Sequence, residues 1–257
     1  MTSFADLHQP GHPFLLVNVW DIGTARVAAG LGAQALATSS AGHAFTLGKV
    51  DGQITVGDAI AHAESIVQAT PLPVSIDFEN GYGHTADDVA TNVTRVKDTG
   101  AAGLSIEDWD GNAAYDIAEA TDRITAAIAA KGDMLLCARA DGVMNSVYDV
   151  AQAVERCAQF AEAGADVLYA PVLPDQAALA EIVSLGKPVN GLAAGPWLNW
   201  TLDDWAQAGV ARVSLGSTLA RVTHRALLDA LRPSLAQGHI PAMQHTPVAG
   251  EIDAILG

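Results

Sequence analysis

The chain predicts an α/β protein, and within that class a closed (β/α)8 barrel of TIM type in a single domain. Short apolar runs rich in β-formers alternate with amphipathic, Ala-rich segments, eight such runs can be counted, and no composition shift or Pro/Ser-rich linker divides them. Eight βα units are what a closed barrel needs, and right-handed crossovers would make every strand parallel with the helices outside. The 257 residues then form one domain, with the barrel at about 14–235 and a C-terminal tail at about 236–257. That tail is too short for another module and is a candidate partner-docking segment. An open doubly wound sheet is the runner-up, but no G-x-G-x-x-G follows the first apolar run.

Strands are expected at 14–20 (FLLVNVW), 35–40 (ALATSS), 73–78 (PVSIDF), 103–108 (GLSIED), 134–140 (MLLCARA), 166–172 (DVLYAPV), 188–194 (PVNGLAA) and 211–217 (ARVSLGS). Helical segments between them include VGDAIAHAESIVQAT, ADDVATNVTRVKDTG, AEATDRITAAIAAKG, YDVAQAVERCAQFAEAG, QAALAEIVSLG and LARVTHRALLDALRPSL. Several close on a Gly suited to a helix C-terminus. A Gly-Ala or Gly-Val phrase recurs before strands, in AGLGAQAL, DTGAAGLSI, AEAGADVLY and AQAGVARVS, marking a helix end that turns tightly into the next strand.

Composition narrows the function. Lys+Arg 13 against Asp+Glu 29 gives a net charge of −16 and a pI near 4.6, a field that repels phosphate backbones and anionic lipid heads. Neither nucleic acid nor a membrane is an expected partner. A hydrophobic content of 50% with 16% charged residues in 26.5 kDa is the balance of a packed globular enzyme. Cys137 and Cys157 fall in runs that read as buried strand and helix, so a reducing cytoplasm is expected. The opening MTSFADLHQPGHPF lacks a basic stretch followed by an apolar one, and no segment approaches the roughly 20 apolar residues of a membrane span.

In such a barrel the chemistry sits at the C-terminal ends of the strands. Residues two apart on a strand share a face, so in SIDFENGYGH the carboxylates of Asp77 and Glu79 point together while Phe78 points toward the helices. Two converging acids repel unless a cation joins them, and oxygen-only ligation suits Mg²⁺, with Mn²⁺ as an alternative. The competing reading is that one acid caps the turn or pairs with a basic neighbour. In SIEDWDG, Glu107 faces the same way as Ser105 and is a further carboxylate for the metal, directly or at one remove; Asp108 faces away and either starts the loop or pairs with a helix residue. In CARAD, Arg139 faces inward between Cys137 and Asp141. It either clamps a substrate carboxylate or forms an internal salt bridge. The first two strands end VNVWD and ATSSAG, supplying Trp20, Asp21, Ser39, Ser40 and Ala41. Backbone N–H groups in such a turn form an anion nest or an oxyanion hole, unless the serine is simply a helix cap.

Together these residues resemble the isocitrate lyase and phosphoenolpyruvate mutase superfamily. The similarity spans roughly residues 14–220 and consists of NVWDIGTARVAAGLGAQALATSSAG, LGKVD, SIDFENGYGH, GLSIEDWDG and ARAD in the family's order. The resemblance implies a (β/α)8 barrel with Mg²⁺ at its mouth. It makes Asp77 the direct metal ligand, with Glu79, Glu107 and Asp51 acting mainly through water. It also makes Ser39 and the backbone after it a binder of substrate carboxylate and carbonyl, Arg139 the arginine that holds the carboxylate, and Trp20 and Asn190 substrate contacts. It further implies a homo-oligomer, a dimer or tetramer, in which the last barrel helix, LARVTHRALLDALRPSL, packs on a neighbour.

The departures bear on the reaction. After IED, the isocitrate and methylisocitrate lyases of the family carry a long loop with a Lys-Lys/Arg-Cys-Gly-His motif whose cysteine is the general acid. Here the loop is WDGNAAYDIAEA, with no Cys, Lys or His. The mutase branch places a His at the end of the sixth strand, where this chain reads YAPV with Pro171. What remains is machinery for stabilising an enolate. The expected function is therefore a Mg²⁺-dependent lyase or decarboxylase cleaving a carbon–carbon bond of a small 2-oxo or 2-hydroxy (di)carboxylate, with Tyr115 the only nearby candidate for a proton donor. Two other readings stand beside it: phosphonate chemistry on a carbon–phosphorus bond, and a protein that binds a 2-oxo acid without turnover.

Overall fold

In a computed structural model of the protein, which describes residues 3–244, 246–248 and 250–257, each expected run contains one strand, trimmed at its ends. The strands are β1 (Phe14–Val19), β2 (Ala35–Thr38), β3 (Val74–Asp77), β4 (Gly103–Glu107), β5 (Leu135–Arg139), β6 (Val167–Tyr169), β7 (Asn190–Leu192) and β8 (Arg212–Ser214). All pairs are parallel in the order β6-β5-β4-β3-β2-β1-β8-β7, and a parallel bridge from Leu168 to Val189 closes the barrel between β6 and β7. The helices are α1 (Ile22–Gly30), α2 (Ser40–Thr46), α3 (Val56–Ala69), α4 (Ala86–Asp98), α5 (Ile117–Ala130), α6 (Val150–Ala163), α7 (Gln176–Val183), α8 (Leu202–Gln207), α9 (Thr218–Gln237) and α10 (Glu251–Leu256). Among the described residues no helix is long and apolar enough to cross a membrane.

Alternation along the strands divides the interior in two. Outward side chains such as Leu104, Ile106, Leu136 and Ala138 join Phe78, Ile66, Val93, Ile124 and Phe160 in the main core between barrel and helices. Inward side chains form the barrel lumen, where Phe4, Phe14, Leu16, Ala35 and Ala37 make a small apolar cluster. The helices start where sequence caps them. Thr55, Thr85, Asp149 and Thr201 form reciprocal capping boxes with Asp58, Asp88, Gln152 and Asp204, and each is worth about 0.5–2 kcal/mol. Because βα loops lie at the mouth, these caps fix where each mouth loop ends.

Three helices escape the periodic reading because they are short: α2, α8 and α10 have seven, six and six residues. In the tail, the candidate partner-docking segment, α10 packs on α1, and Ile255 occupies the space over Gly30 that a Cβ would fill. On α9, by contrast, Val222, Leu227, Leu228 and Leu235 are exposed.

Near the closing bridge, a tryptophan cluster covers β7. Trp205 stacks on Trp197 and meets Trp200 edge-on, and Trp197 Nε1 donates to the Leu173 carbonyl at 2.9 Å. Gly191 admits this cluster, because a Cβ there would stand 2.6 Å from the Trp205 ring. Gly191→Val is expected to cost about 1–3 kcal/mol through overpacking, read as a lower urea midpoint with altered tryptophan emission; an unchanged midpoint would show that the cluster yields freely.

Candidate active site

Three consecutive strands end in charge. Asp77 closes β3, Glu107 closes β4 and Arg139 closes β5, with Glu107 directly opposite Arg139 in the register. They open into a cavity of about 510 Å³ that runs from the mouth into the lumen. Arg139 Nη1 donates to Asp77 Oδ1 at 2.8 Å, Nη2 to Glu107 Oε2 at 2.9 Å and to Asp141 Oδ2 at 2.6 Å, and Nε to Asp141 Oδ1 at 3.1 Å. Its guanidinium also lies 5.4 Å from the Tyr169 ring centroid. Of the two roles open to Arg139 in the sequence, these contacts are those of the internal salt bridge.

Asp77 is held from its other side. Ser40 donates to Oδ2 through its backbone N–H at 2.9 Å and its hydroxyl at 2.8 Å, while the Asp77 N–H donates to Thr38 Oγ1 at 2.9 Å. Glu79 lies beyond the end of β3 at φ +42°, in a turn where Tyr82 also has positive φ. Its place at the cavity is fixed by the Tyr82 hydroxyl, which donates to Oε1 at 2.8 Å, and by the Glu107 N–H, which donates to the Glu79 carbonyl at 2.9 Å. Behind this turn, Arg123 of α5 donates to the carbonyls of Asn80 and Gly83 at 2.8 and 2.9 Å. Gly81 is required there, since it sits at φ +83° with Val89 only 2.9 Å from where a Cβ would be.

One layer out, Asp108 pairs with a helix residue, one of its two expected roles. It accepts from Arg156 Nη1 of α6 at 2.9 Å, from the Tyr148 hydroxyl at 2.7 Å and from the Asp141 N–H at 2.8 Å. The outer acid thus anchors the backbone of the inner one.

The remaining expected residues divide. Ser39, Ser40, Ala41, Asp51, Glu79, Glu107 and Asn190 all line the cavity with Asp77 and Arg139. The nest around Ser39 is largely consumed internally: the Ser39 hydroxyl caps α2 by accepting from the Gly42 N–H, and the Ser40 N–H is spent on Asp77. Trp20 and Tyr115 are not in the cavity lining. Trp20 is buried against Gly42, and the Tyr115 hydroxyl accepts from Asn80 Nδ2 at 2.9 Å with its ring under Arg123. The Tyr115 N–H donates to the Asp108 carbonyl at 2.9 Å, and the half-buried ring packs against the main core. Two lining residues had no role in the sequence reading: Asp141, which shares an inward face with Arg139, and Arg212, which opens β8. The alternation of CARAD and ARVSLGS carries both signals.

The phosphoenolpyruvate phosphomutase family matches residues 4–235. The chain belongs to the phosphoenolpyruvate mutase/isocitrate lyase superfamily. It is 34% identical over 220 residues to an uncharacterized protein of Mycobacterium tuberculosis, covering 84% of this chain and 82% of that one. It is 30% identical over 246 residues to the 2-methylisocitrate lyase of Escherichia coli, covering 86% and 82%. Among solved structures, a candidate lyase/mutase from Burkholderia cenocepacia J2315 superposes with a TM-score of 0.92 at 36% identity, over 98% of this chain and 93% of that one. A 2-methylisocitrate lyase of Salmonella typhimurium is 28% identical over 246 residues, covering 86% of this chain and 83% of that one.

The donor set at the mouth is that of a hard divalent cation. Asp51, Asp77, Glu79, Glu107, Asp110 and Asp141 line the cavity against two guanidiniums, Arg139 and Arg212. Burial pushes Glu79 up to about 7, with Asp77 and Asp51 adding to the rise against the Tyr82 hydrogen bond. Burial also raises Asp51, Asp141 and Glu107, the last well above the usual range although Arg139 opposes it. Desolvation leads each of these shifts, and the neighbouring carboxylates add to it. Among the described residues no three His, Cys, Asp or Glu side chains converge into a ready cage; Mg²⁺ needs none, because it binds through one or two carboxylates and keeps its waters.

The raised Glu79 has a consequence for stability. The folded chain holds this proton up to about pH 7 whereas an ordinary glutamate loses it near 4.5, so the folded state binds more protons across that window and stability falls as pH rises through it. In chelator, Glu79→Gln is therefore expected to gain stability on the wild type at pH 8 and not at pH 4; urea midpoints that keep the same difference at both pH values contradict the assignment.

Proposed function

We propose that this protein is a Mg²⁺-dependent carbon–carbon lyase or decarboxylase of a small 2-oxo or 2-hydroxy acid, dicarboxylates foremost, with Mn²⁺ able to substitute. The observation that carries the reading is that Asp77, Glu79, Glu107 and Asp51 line one cavity with Arg139, which pairs with Asp77 and Glu107, at the C-terminal mouth of a barrel of this superfamily. The 2-methylisocitrate lyase relatives support carbon–carbon cleavage of a small acid.

Asp77 is the carboxylate assigned to the metal directly, with Ser40 and Thr38 holding it in place; Glu79, Glu107 and Asp51 act through water. The bound cation supplies Lewis acidity toward the 2-oxo oxygen. Arg139, relieved of its bond to Asp77 Oδ1, has Nη1 available for the substrate carboxylate while Glu107 and Asp141 keep the guanidinium oriented. With a 2-oxo dicarboxylate the carbon–carbon bond breaks heterolytically, carbon dioxide leaves and the electron pair becomes the enolate. With a 2-hydroxy acid the hydroxyl gives its proton to a mouth carboxylate or to solvent as the bond breaks, a neutral carbonyl compound leaves and the pair becomes the enolate of the other fragment. Tyr115 stands outside the cavity, so water returns the proton to carbon. The loop after β4 contributes Trp109, Asp110 and Gly111 to the cavity and no general acid. The exposed leucines of α9 belong to the same reading as the face covered in a homodimer or tetramer.

The test is a panel of 2-oxo and 2-hydroxy acids with phosphonopyruvate, with and without Mg²⁺, followed by product release and by ligand-induced thermal stabilisation. Release of pyruvate or glyoxylate from a dicarboxylate supports the lyase; carbon–phosphorus chemistry on phosphonopyruvate supports the mutase branch, whose family description the chain matches. Stabilisation without product from any compound leaves a binding protein. Asp77→Asn is expected to abolish Mg²⁺-dependent stabilisation and turnover with circular dichroism unchanged, and full activity in that variant removes the central assignment. Arg139→Lys keeps the charge but loses the fork; it should weaken binding of the acid about ten-fold or more, and an unchanged affinity would return Arg139 to a purely structural role.

A further inference from the structure

Below the acids, the lumen is built unlike the interior of an ordinary (β/α)8 barrel. Such interiors are filled by layers of bulky branched side chains. Here the small side chains of Ala37, Ser75, Ser105 and Ser214 occupy inward positions beside Leu16 and Tyr169 and line the same cavity, so it continues downward as a shaft of mixed polarity. At its floor lies Arg212, 4% exposed. Its Nε donates to Asn190 Oδ1 at 2.7 Å and its Nη1 meets His8 Nε2 at 3.3 Å, while Asn190 Nδ2 donates to Ser214 Oγ at 2.9 Å.

Every partner of Arg212 is neutral. His8 donates through Nδ1 to the Phe4 carbonyl at 2.8 Å, and burial together with the neighbouring guanidinium holds its pKa down at about 4. Among the described residues no carboxylate lies within 4.0 Å of Arg212. The other buried arginines differ: Arg139 and Arg156 are paired with acids, while Arg123 gives Nη2 to two carbonyls and stacks on Tyr115, and its unpartnered Nε and Nη1 do not line the cavity. A buried cation is costly unless an anion joins it. Arg212 opens onto a cavity with most of its N–H groups still free, and serine hydroxyls stand along the way.

We propose that Arg212, with Asn190 and Ser214, forms a carboxylate subsite at the barrel floor that receives the second carboxylate of a dicarboxylic substrate whose 2-oxo head lies at the mouth. This rests on the reading of the mouth as the site of the 2-oxo acid, and it makes chain length a determinant of specificity. A diacid of four or five carbons spans about 4–5 Å between its carboxyl carbons, and a hydrogen bond of about 2.8 Å at each end extends that reach to about 10 Å, beyond the roughly 6–7 Å of one two-residue step down a strand, so a diacid reaches groups at two levels and a monoacid at one. The same carboxylate chemistry could come from a free small anion, and the experiment separates the two sources.

With Mg²⁺ present, binding of pyruvate, 2-oxoglutarate and glutarate would be measured by calorimetry in the wild type, Arg212→Met and Ser105→Val. 2-Oxoglutarate carries head and second carboxylate without the bond arrangement that decarboxylates readily. The wild type is expected to bind it about ten-fold or more tightly than pyruvate. That ratio should fall to near unity in Arg212→Met with the pyruvate affinity kept, and likewise in Ser105→Val, which leaves Arg212 and its partners intact and narrows the shaft. A ratio near unity in the wild type, or one that survives both substitutions, overturns the subsite. Stabilisation by acetate or chloride that depends on Arg212, with no preference for the diacid, assigns the floor to a free anion and overturns it equally. If pyruvate fails to bind while glutarate binds through Arg212, the floor subsite stands and the reading of the mouth falls.

Discussion

The mouth of this barrel depends on one guanidinium. Asp77, Glu107 and Asp141 come from β3, β4 and the turn after β5, and parallel strands place their ends too close for three carboxylates to remain charged side by side in a buried setting. Arg139 meets all three. Its planar fork lets two nitrogens serve three acids at once, which a lysine ammonium would do only as a point charge. Behind it the pattern repeats with Arg156 and Asp108, and because Asp108 accepts from the Asp141 N–H, the outer pair holds the backbone that the inner pair needs. Even so, the acids outnumber the guanidiniums at the cavity, and burial first, with neighbouring carboxylates adding to it, raises Glu79, Glu107 and Asp51. Under the proposed function a divalent cation would add positive charge that Arg139 alone does not provide.

The fold supplies this site cheaply in sequence terms. Each mouth loop begins at a strand end and finishes at a capped helix start, so its length and direction are set by a few residues such as Thr85 with Asp88 or Asp149 with Gln152. The exception is the turn after β3. It carries two non-glycine residues at positive φ, and conformations of that kind persist only where the surroundings over-determine them. Arg123, Asn92 and Val89 do so from behind, through four carbonyls and a van der Waals wall.

The period-two alternation of buried parallel strands made most of this architecture legible. It located all eight strands, separated Phe78 from Asp77 and placed Glu107 and Arg139 inward. Glu79 reaches the cavity for a different reason from the one alternation offers, since it lies past the strand and is aimed by Tyr82. Loop chemistry was less legible, because a sequence does not show which backbone N–H groups are already spent. Ser39 thus caps a helix and Ser40 serves Asp77, where an anion nest was expected. Tyr115 illustrates the same gap: a place one residue before the cap of α5 says nothing of direction, and the ring lies against Arg123 with its hydroxyl on Asn80. Helices of six or seven residues contain under two turns and show no period to read.

Charge at long range and charge at short range oppose each other in this molecule. A net charge of −16 slows the approach of an anionic acid, and exposed charges are screened beyond about 8–10 Å at ordinary ionic strength. The attraction must therefore arise inside the cavity, where solvent screens poorly. Arg139 and Arg212 are both buried there, the first among acids that a metal can relieve and the second among neutral groups. A ligand that satisfies only the mouth leaves the lower guanidinium without an anion. The arrangement discriminates by completeness of pairing, since a buried charge left unmatched costs more than a surface charge gains.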